Sequence, residues 1–242
     1  MKLYSDLADW WPVFSPTADY VDEAAFFGSL FEDAGVSTLL ELGAGGGNVA
    51  SFLKHDFEMT LTELSPQMIE ASKRQNPELE HFAGDMRSVR LRRTFDGVFI
   101  HDAIMYMLTE DDLRAVFRTA NLHCRPGGIV VAAPDCTRET FKEFTDYEGH
   151  DAPPPDKRSV RYIQWTYDPD ASDTVFNYDF IIALRNGEEL TSVVDRQLCG
   201  VFPRSTWLHL MNEEGFDAQA VKDTSSEGDV NERAEIFVGY KR

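Results

Sequence analysis

The sequence predicts an α/β fold: a doubly wound, mostly parallel sheet with an antiparallel β insertion after the fifth strand, preceded by a helical N-terminal segment. Three observations predict it. Strand-like and helix-like segments alternate over the first 135 residues, the pattern of a parallel sheet covered on both faces. A glycine-rich turn, GAGGGN from Gly43 to Asn48, joins an apolar run to a helical one. After Asp135 the alternation gives way to long runs of strand formers divided by turn residues.

The elements follow in order. Thr38 to Leu42 is a short apolar run, the first strand. Val49, Phe52 and Leu53 then fall at i, i+3 and i+4, so a helix begins at the glycines. Glu58 to Leu64 alternates as the second strand, and Ser65-Pro66 supplies an N-cap with proline at the first helical position. His81 to Ala83 is the third strand and Phe95 to Ile100 (FDGVFI) the fourth. Thr109 to Asp112 has capping-box spacing, and Leu113, Val116, Phe117 and Ala120 make one apolar helical face. Pro126-Gly127-Gly128 breaks that helix ahead of a fifth strand, GIVVAAP.

PPP at Pro153 to Pro155 marks a loop, and RYIQWTY, TVFNYDFIIAL and LTSVVDRQL, divided by DPDASD and NGEE, read as the insertion. Trp207, Leu208 and Met211 resume helical spacing, Gly215 stops it, and FDAQAVKD with AEIFVGYK closes the chain as a strand pair. The expected organisation is one domain over 1–242. It comprises a lid segment at 1–35, a core at 36–135, an antiparallel cap at 136–202 and a helix with a strand pair at 203–242.

Charge narrows the partners. Acidic side chains number 42 against 23 basic, and the net charge of −19 repels phosphate backbones and anionic membranes. The sole basic run, RSVRLRR at Arg87 to Arg93, has no interleaved aromatics and reads as a solvated loop. Neither nucleic acid nor membrane is expected. No apolar run reaches the roughly 18 residues of a span, and no basic-then-apolar leader is visible. The expected location is cytoplasmic. Cys124, Cys136 and Cys199 lack paired spacing; they are expected to be reduced, and no metal site is expected. Solubility, a saline habitat and cationic substrates account equally for the acidity, and a homodimer stays open.

Gly43, Gly45 and Gly47 stand between strand and helix, where a missing Cβ lets the chain turn sharply and a ligand lie against the backbone. A dinucleotide fingerprint needs glycine where Asn48 stands, which weakens a nicotinamide reading. A P-loop needs Gly-Lys-Ser/Thr, and the first lysine after the turn is Lys54, which excludes nucleoside triphosphates. A cationic, phosphate-free nucleoside tolerates Glu41 just before the turn.

ELGAGGGN, Glu63 ending the second strand, Gly84-Asp85-Met86 after the third and FDGVFIHDA on the fourth together resemble the class I S-adenosylmethionine-dependent methyltransferases, which have a Rossmann-like sheet, over residues 38–135. The resemblance implies S-adenosylmethionine as cofactor and S-adenosylhomocysteine as product. It places the methionyl part at Glu41, Gly43, Ala44 and Gly45, the ribose at Glu63 beside Leu64, the adenine amine at Asp85 with the Met86 amide, and a backbone contact at His101. Glu63 also stands 20 residues after Gly43, the spacing at which an acid meets ribose in nucleotide folds. An N-terminal aromatic lid and an antiparallel insertion resemble amino-sugar and glycine N-methyltransferases, which implies a small-molecule acceptor.

Lid candidates are Tyr4, Trp10, Trp11 and Tyr20, whose rings attract a sulfonium and exclude water; Tyr20 also heads a stripe with Ala24, Phe27 and Phe31 that fits core. Methyl transfer needs alignment and a dry site rather than a metal. His101 and Asp102 at the end of the fourth strand are the catalytic candidates, with Asp135 at the end of the fifth as a further base. Tyr106, Arg161, Trp165, Tyr178 and Arg196 are candidates for the acceptor pocket. The expected activity is methylation of nitrogen or oxygen on a small molecule. The rivals are a catalytically silent domain that binds the same nucleoside as a sensor or partner subunit, and, more distantly, a nicotinamide oxidoreductase.

Overall fold

The computed structural model describes residues 1–225 and 233–242. The chain opens with α1 (Trp11–Phe14) and α2 (Val21–Asp33) and enters the sheet at β1 (Thr38–Leu42). There follow α3 (Ala50–Leu53), β2 (Glu58–Glu63), α4 (Pro66–Gln75), β3 (Glu80–Ala83), β4 (Phe95–Ile100), α5 (Glu110–His123) and β5 (Cys124–Ala132). The insertion holds β6 (Phe144–Asp151), β7 (Arg158–Tyr167), β8 (Val175–Asn186) and β9 (Glu189–Gly200). The chain closes with α6 (Arg204–Glu213), β10 (Phe216–Lys222) and β11 (Glu235–Lys241).

The central sheet has the order β10-β11-β5-β4-β1-β2-β3, parallel except for the β11 pairings. Its strands are apolar on both faces: Leu40, Leu42, Val98 and Ile100 enter one core with Phe117 and Trp207, while Leu39, Leu61, Phe99 and Val131 enter the other with Phe27 and Phe31. Such two-sided burial is what a parallel sheet between helical layers requires. Because β1 leads outward to β2 and its other neighbour is β4, the carboxyl ends of β1 and β4 flank the switch point where open sheets hold ligands.

Local signals act as expected at the helix starts. The Ser65 hydroxyl accepts the Met68 amide at 3.3 Å, and the Thr109 hydroxyl accepts the Asp112 amide at 3.1 Å. His123 is structural, taking the Leu91 amide on Nε2 at 2.9 Å. The Arg87 to Arg93 loop is held by its own surroundings, with Arg87 bonded to Asp85 and Asp112 and Arg90 to Thr119.

Two elements differ from expectation. Pro126-Gly127-Gly128 is a bulge inside β5 rather than a break before it: Phe95 pairs with Cys124 and Gly97 with Ile129, and a Cβ on Gly128 would stand 2.6 Å from the Asp96 carbonyl oxygen. β6 carries FTDYEGHD, too polar to read as a strand. It sits at the edge of the four-stranded sheet β6-β7-β8-β9, where pairing with β7 replaces a burial signal. The N-terminal segment is more deeply built in than a cover would be, since Leu3, Leu7 and Val13 pack with Val160, Phe180, Ile182 and Leu184 of the insertion.

Candidate functional site

After β1 the chain turns through Gly43, Gly45 and Gly47 at φ 77°, 55° and 74°, a backbone region that side chains strain. Close neighbours add a second reason for glycine. A Cβ on Gly43 would stand 2.5 Å from Met86 Cε, and one on Gly46 would stand 2.2 Å from Trp11 Nε1. At Gly45 the same direction is open except for Met68 Cε at 3.9 Å, so the backbone there can be approached.

Glu63 reaches back from the end of β2. Its Oε2 accepts the Gly45 amide at 2.9 Å and its Oε1 the Ser65 amide at 2.8 Å, pinning the turn to the start of α4. Glu41, at the end of β1, is only 2 % exposed and its Oε2 has no hydrogen-bond partner. Burial, reinforced by the charges of Asp102, Glu63 and Glu23, pushes this carboxyl up to about 8. An unpartnered buried oxygen is costly, and a donor brought by a ligand would satisfy it.

Above the turn lies a cavity of about 1270 Å³, larger than the roughly 300–1,000 Å³ typical of a single small-molecule site. Glu41, Gly43, Ala44, Gly45, Glu63, Leu64, Asp85, Met86, His101 and Asp102 all line its sheet side. Tyr4, Trp11, Tyr20, Tyr106, Asp135 and Tyr178 line the side toward the N-terminal segment and the insertion. At Asp85 both carboxylate oxygens are gripped by the Arg87 guanidinium, which holds the group below the usual carboxylate range.

His101 is 7 % exposed, and its Nε2 donates to Glu23 Oε1 at 2.8 Å. The Arg233 guanidinium lies 3.1 Å from the same nitrogen and bonds Glu23, Asp102 and Asp223. Burial alone lowers the imidazole, but the carboxylates of Asp102 and Glu23 outweigh it and raise the group to about 9. Raised this far, the imidazole favours its charged form at neutral pH, with Glu23 the carboxylate nearest its Nε2. Glu23, His101 and Asp102 approach closely enough to bind a cation, and the Arg233 guanidinium already supplies that charge.

Asp135 follows β5 and faces the same cavity. Burial, with Asp102 adding to it, pushes its carboxyl up to about 8, against the opposing charges of Arg233 and His101. The Tyr178 hydroxyl lies 3.5 Å away.

The N-terminal segment is latched by a relay. Tyr4 donates to the Tyr106 hydroxyl at 2.8 Å, Tyr106 to Gln197 Oε1 at 2.7 Å, and Gln197 to Asp195 at 3.0 Å. Asp195 in turn accepts the Lys2 and Leu3 amides at 2.9 and 3.0 Å. Tyr20 stands edge-on to His101 at 6.5 Å, at the head of a stripe whose Ala24, Phe27 and Phe31 are core.

Four expected residues are not at the cavity. Trp10 packs beneath the Arg158 guanidinium, 5.6 Å from its ring, while its neighbour Trp11 turns inward. Arg161, Trp165 and Arg196 lie on the far face of the insertion sheet. There Trp165, Asp179 and Arg196 are in register, Trp165 is 38 % exposed, and Arg161 pairs with Asp151. The inner face belongs to the alternate set, Tyr162, Gln164 and Thr166 on β7, Phe176, Tyr178 and Phe180 on β8, and Gln197 on β9. Tyr162, Phe180, Gln197, Phe14, Glu23 and Arg233 were not foreseen. For the strand residues the period of two was legible and its phase was not.

Fold and cavity together define an α/β domain whose cavity at the carboxyl ends of the parallel strands is capped by the insertion sheet. Residues 39–128 match the methyltransferase domain family. Over 129 residues the chain is 31% identical to the dTDP-3-amino-3,4,6-trideoxy-alpha-D-glucopyranose N,N-dimethyltransferase of Streptomyces venezuelae, covering 52% of this chain and 54% of that protein. It is 30% identical over 127 residues to the dTDP-3-amino-3,6-dideoxy-alpha-D-glucopyranose N,N-dimethyltransferase of Streptomyces fradiae, covering 51% and 50%. The matches span about half the length of these relatives. The fold is that of Streptomyces venezuelae DesVI, at TM-score 0.82 and 22% identity over 93% of this chain and 92% of that one. The SAM-bound amino pentose methyltransferase of Micromonospora echinaspora superposes at TM-score 0.77, with 21% identity and 91% of each chain covered.

Proposed function

We propose that this protein is an S-adenosylmethionine-dependent methyltransferase acting on a nitrogen of a small-molecule acceptor. The carrying observation is one cavity lined both by a bare glycine turn beside the unpartnered Glu41 oxygen and by Asp135 and the inner face of the insertion strands. The names of the relatives, all N,N-dimethyltransferases, favour nitrogen over oxygen. A domain that only bound a nucleoside would gain nothing from the second chamber.

The residues present fit the cofactor. Glu41 would accept a hydrogen bond from its ammonium, the open backbone at Gly45 would allow its close approach, and Glu63, already fixed by two amides, would hold the ribose hydroxyls. When bound, the cofactor supplies an activated methyl group. Asp135 is the proposed base: it faces the chamber, and a carboxyl raised to about 8 takes a proton from an ammonium far more readily than an ordinary carboxylate. His101 is proposed as a positioning residue, because its Nε2 is committed to Glu23. Tyr4, Trp11 and Tyr106 line the cavity and, with both ligands bound, would shield the reacting atoms from water.

Incubating the chain with S-adenosylmethionine and a panel of amines, alcohols and carboxylates, and measuring S-adenosylhomocysteine formed, tests the reading. Turnover confined to amines supports it. Cofactor binding without turnover on any substrate would return the silent binder to first place.

A further inference from the structure

The chamber beyond Asp135 has its own charge and surface. Four of its lining residues are acids, Asp135, Glu139, Asp146 and Glu148, against Lys142 and His150 among the described residues. The arginines of the insertion face elsewhere: Arg158 is paired with Asp156 and Arg161 with Asp151, and neither lines the cavity. Arg87 and Arg233, on the sheet side, are bonded to carboxylates. A ligand with a diphosphate would meet mostly like charge here, since Arg87 and Arg233, the arginines among the described lining residues, already hold carboxylates.

The wall is aromatic and continuous. Phe141 and Phe176 stand 5.0 Å apart between ring centres, Phe176 and Tyr178 5.3 Å, Tyr178 and Phe180 6.0 Å, and Phe180 and Tyr162 5.9 Å. All five border the cavity, with Phe141, Tyr162 and Tyr178 partly exposed to it and the buried Phe176 and Phe180 backing them. Ring faces attract organic cations, and methylated ammonium groups above all, because such ions are weakly hydrated and their charge is spread over carbon. The acids raise the local concentration of a cation, and the rings give it a surface that does not depend on a formal counter-charge.

Resting on the methyltransferase reading, we propose that the chamber takes a phosphate-free organic cation: a small amine that enters as its ammonium, gives its proton to the Asp135 carboxylate before its freed lone pair takes the methyl group, and is held against the aromatic wall as the methylated ammonium. The acceptor class thus departs from the dTDP-linked sugars in the relatives' names.

The test is calorimetric titration of the full chain, loaded with S-adenosylhomocysteine, with choline chloride and separately with thymidine diphosphate. Choline is expected to bind at least about tenfold more tightly than the diphosphate, and to weaken as salt is raised. Tyr178→Phe should keep choline affinity and Tyr178→Leu should lose roughly three- to fivefold. Equal or tighter binding of thymidine diphosphate, or binding of neither ligand, overturns the proposal. Loading with S-adenosylhomocysteine is recorded first. If it fails, the methyltransferase reading falls, and the same comparison on the unloaded chain still decides the character of the chamber.

Discussion

Glu23 Oε1 stands 2.8 Å from His101 Nε2, joining α2 to the end of β4 across 78 residues of sequence. The pair fixes a carboxylate and an imidazolium together in the wall of the cavity. His101, ordinarily titrating at 6.5, is raised to about 9 in the fold. The stability it contributes is thus fully present below about pH 6.5 and is lost as pH rises through about 9. His101→Gln should lower stability at pH 7 by about 3 kcal/mol, since it leaves Glu23 and Asp102 without one of their cationic partners. Thermal unfolding from pH 6 to 10, as an approximate range, checks this: the variant's curve should be flatter than that of the wild type, and identical slopes would show that His101 is not held as the imidazolium.

Glu41 and Glu63 make separable contributions. Glu41 is raised from 4.5 to about 8, so the stability gained by burying it uncharged is present below about 4.5 and lost as pH rises through about 8. A ligand ammonium that ionises it should release protons on binding near neutral pH and bind more tightly as pH approaches 8. Glu41→Gln should abolish that proton release, which calorimetry in buffers of different ionisation enthalpy reads directly. Glu63→Ala should cost about 1.5–3 kcal/mol of cofactor affinity. An unchanged dissociation constant in a folded variant would remove Glu63 from the site.

Trp11 and Gly46 form a lock between the N-terminal segment and the turn. Gly46→Ala places its methyl group 2.2 Å from the Trp11 ring nitrogen, so the ring must move. It should reduce turnover and cofactor affinity together, as should Trp11→Ala. The double variant should be less impaired than the two losses added, because the clash needs both groups. Strict additivity in this cycle would show that the contact does not matter. Trp10→Ala removes only the ring beneath Arg158 and should cost about 0.5–1 kcal/mol of stability, with activity per folded molecule unchanged.

Asp135 gives the pH dependence of turnover. With its carboxyl at about 8, facing Asp102, Arg233, His101, Tyr178, Cys136 and Cys199, the base form grows as pH rises. Turnover should climb through about pH 8 in the wild type. Asp135→Asn should lose that limb and fall roughly 10²–10⁴-fold in kcat. Because an amine acceptor also titrates, the profiles should be taken with acceptors of different pKa. A limb that tracks the acceptor and survives in the variant would leave alignment alone as the source of rate.

The sequence by itself determined what is local. The glycine turn between Leu42 and Val49, the caps at Ser65 and Thr109, the apolar strands and the acids at their ends are set within a few residues of one another, so periodicity and turn chemistry reveal them. Their placement in a βα repeat brought Glu41, Glu63, His101, Asp102 and Asp135 to one end of the sheet. Only tertiary structure decided which face of each insertion strand turns inward. A one-residue change of phase exchanges Tyr162 for Arg161 and Gln197 for Arg196, and strands with polar and apolar residues on both faces carry no local signal to choose. The same holds for Trp10 against Trp11, adjacent rings that part at the start of α1. It holds most of all for Arg233, whose guanidinium enters beside β4 from a residue just ahead of β11 and meets Glu23 from α2. Such a cluster exists only after the sheet has formed, since its energy comes from charges brought together out of water by three distant segments.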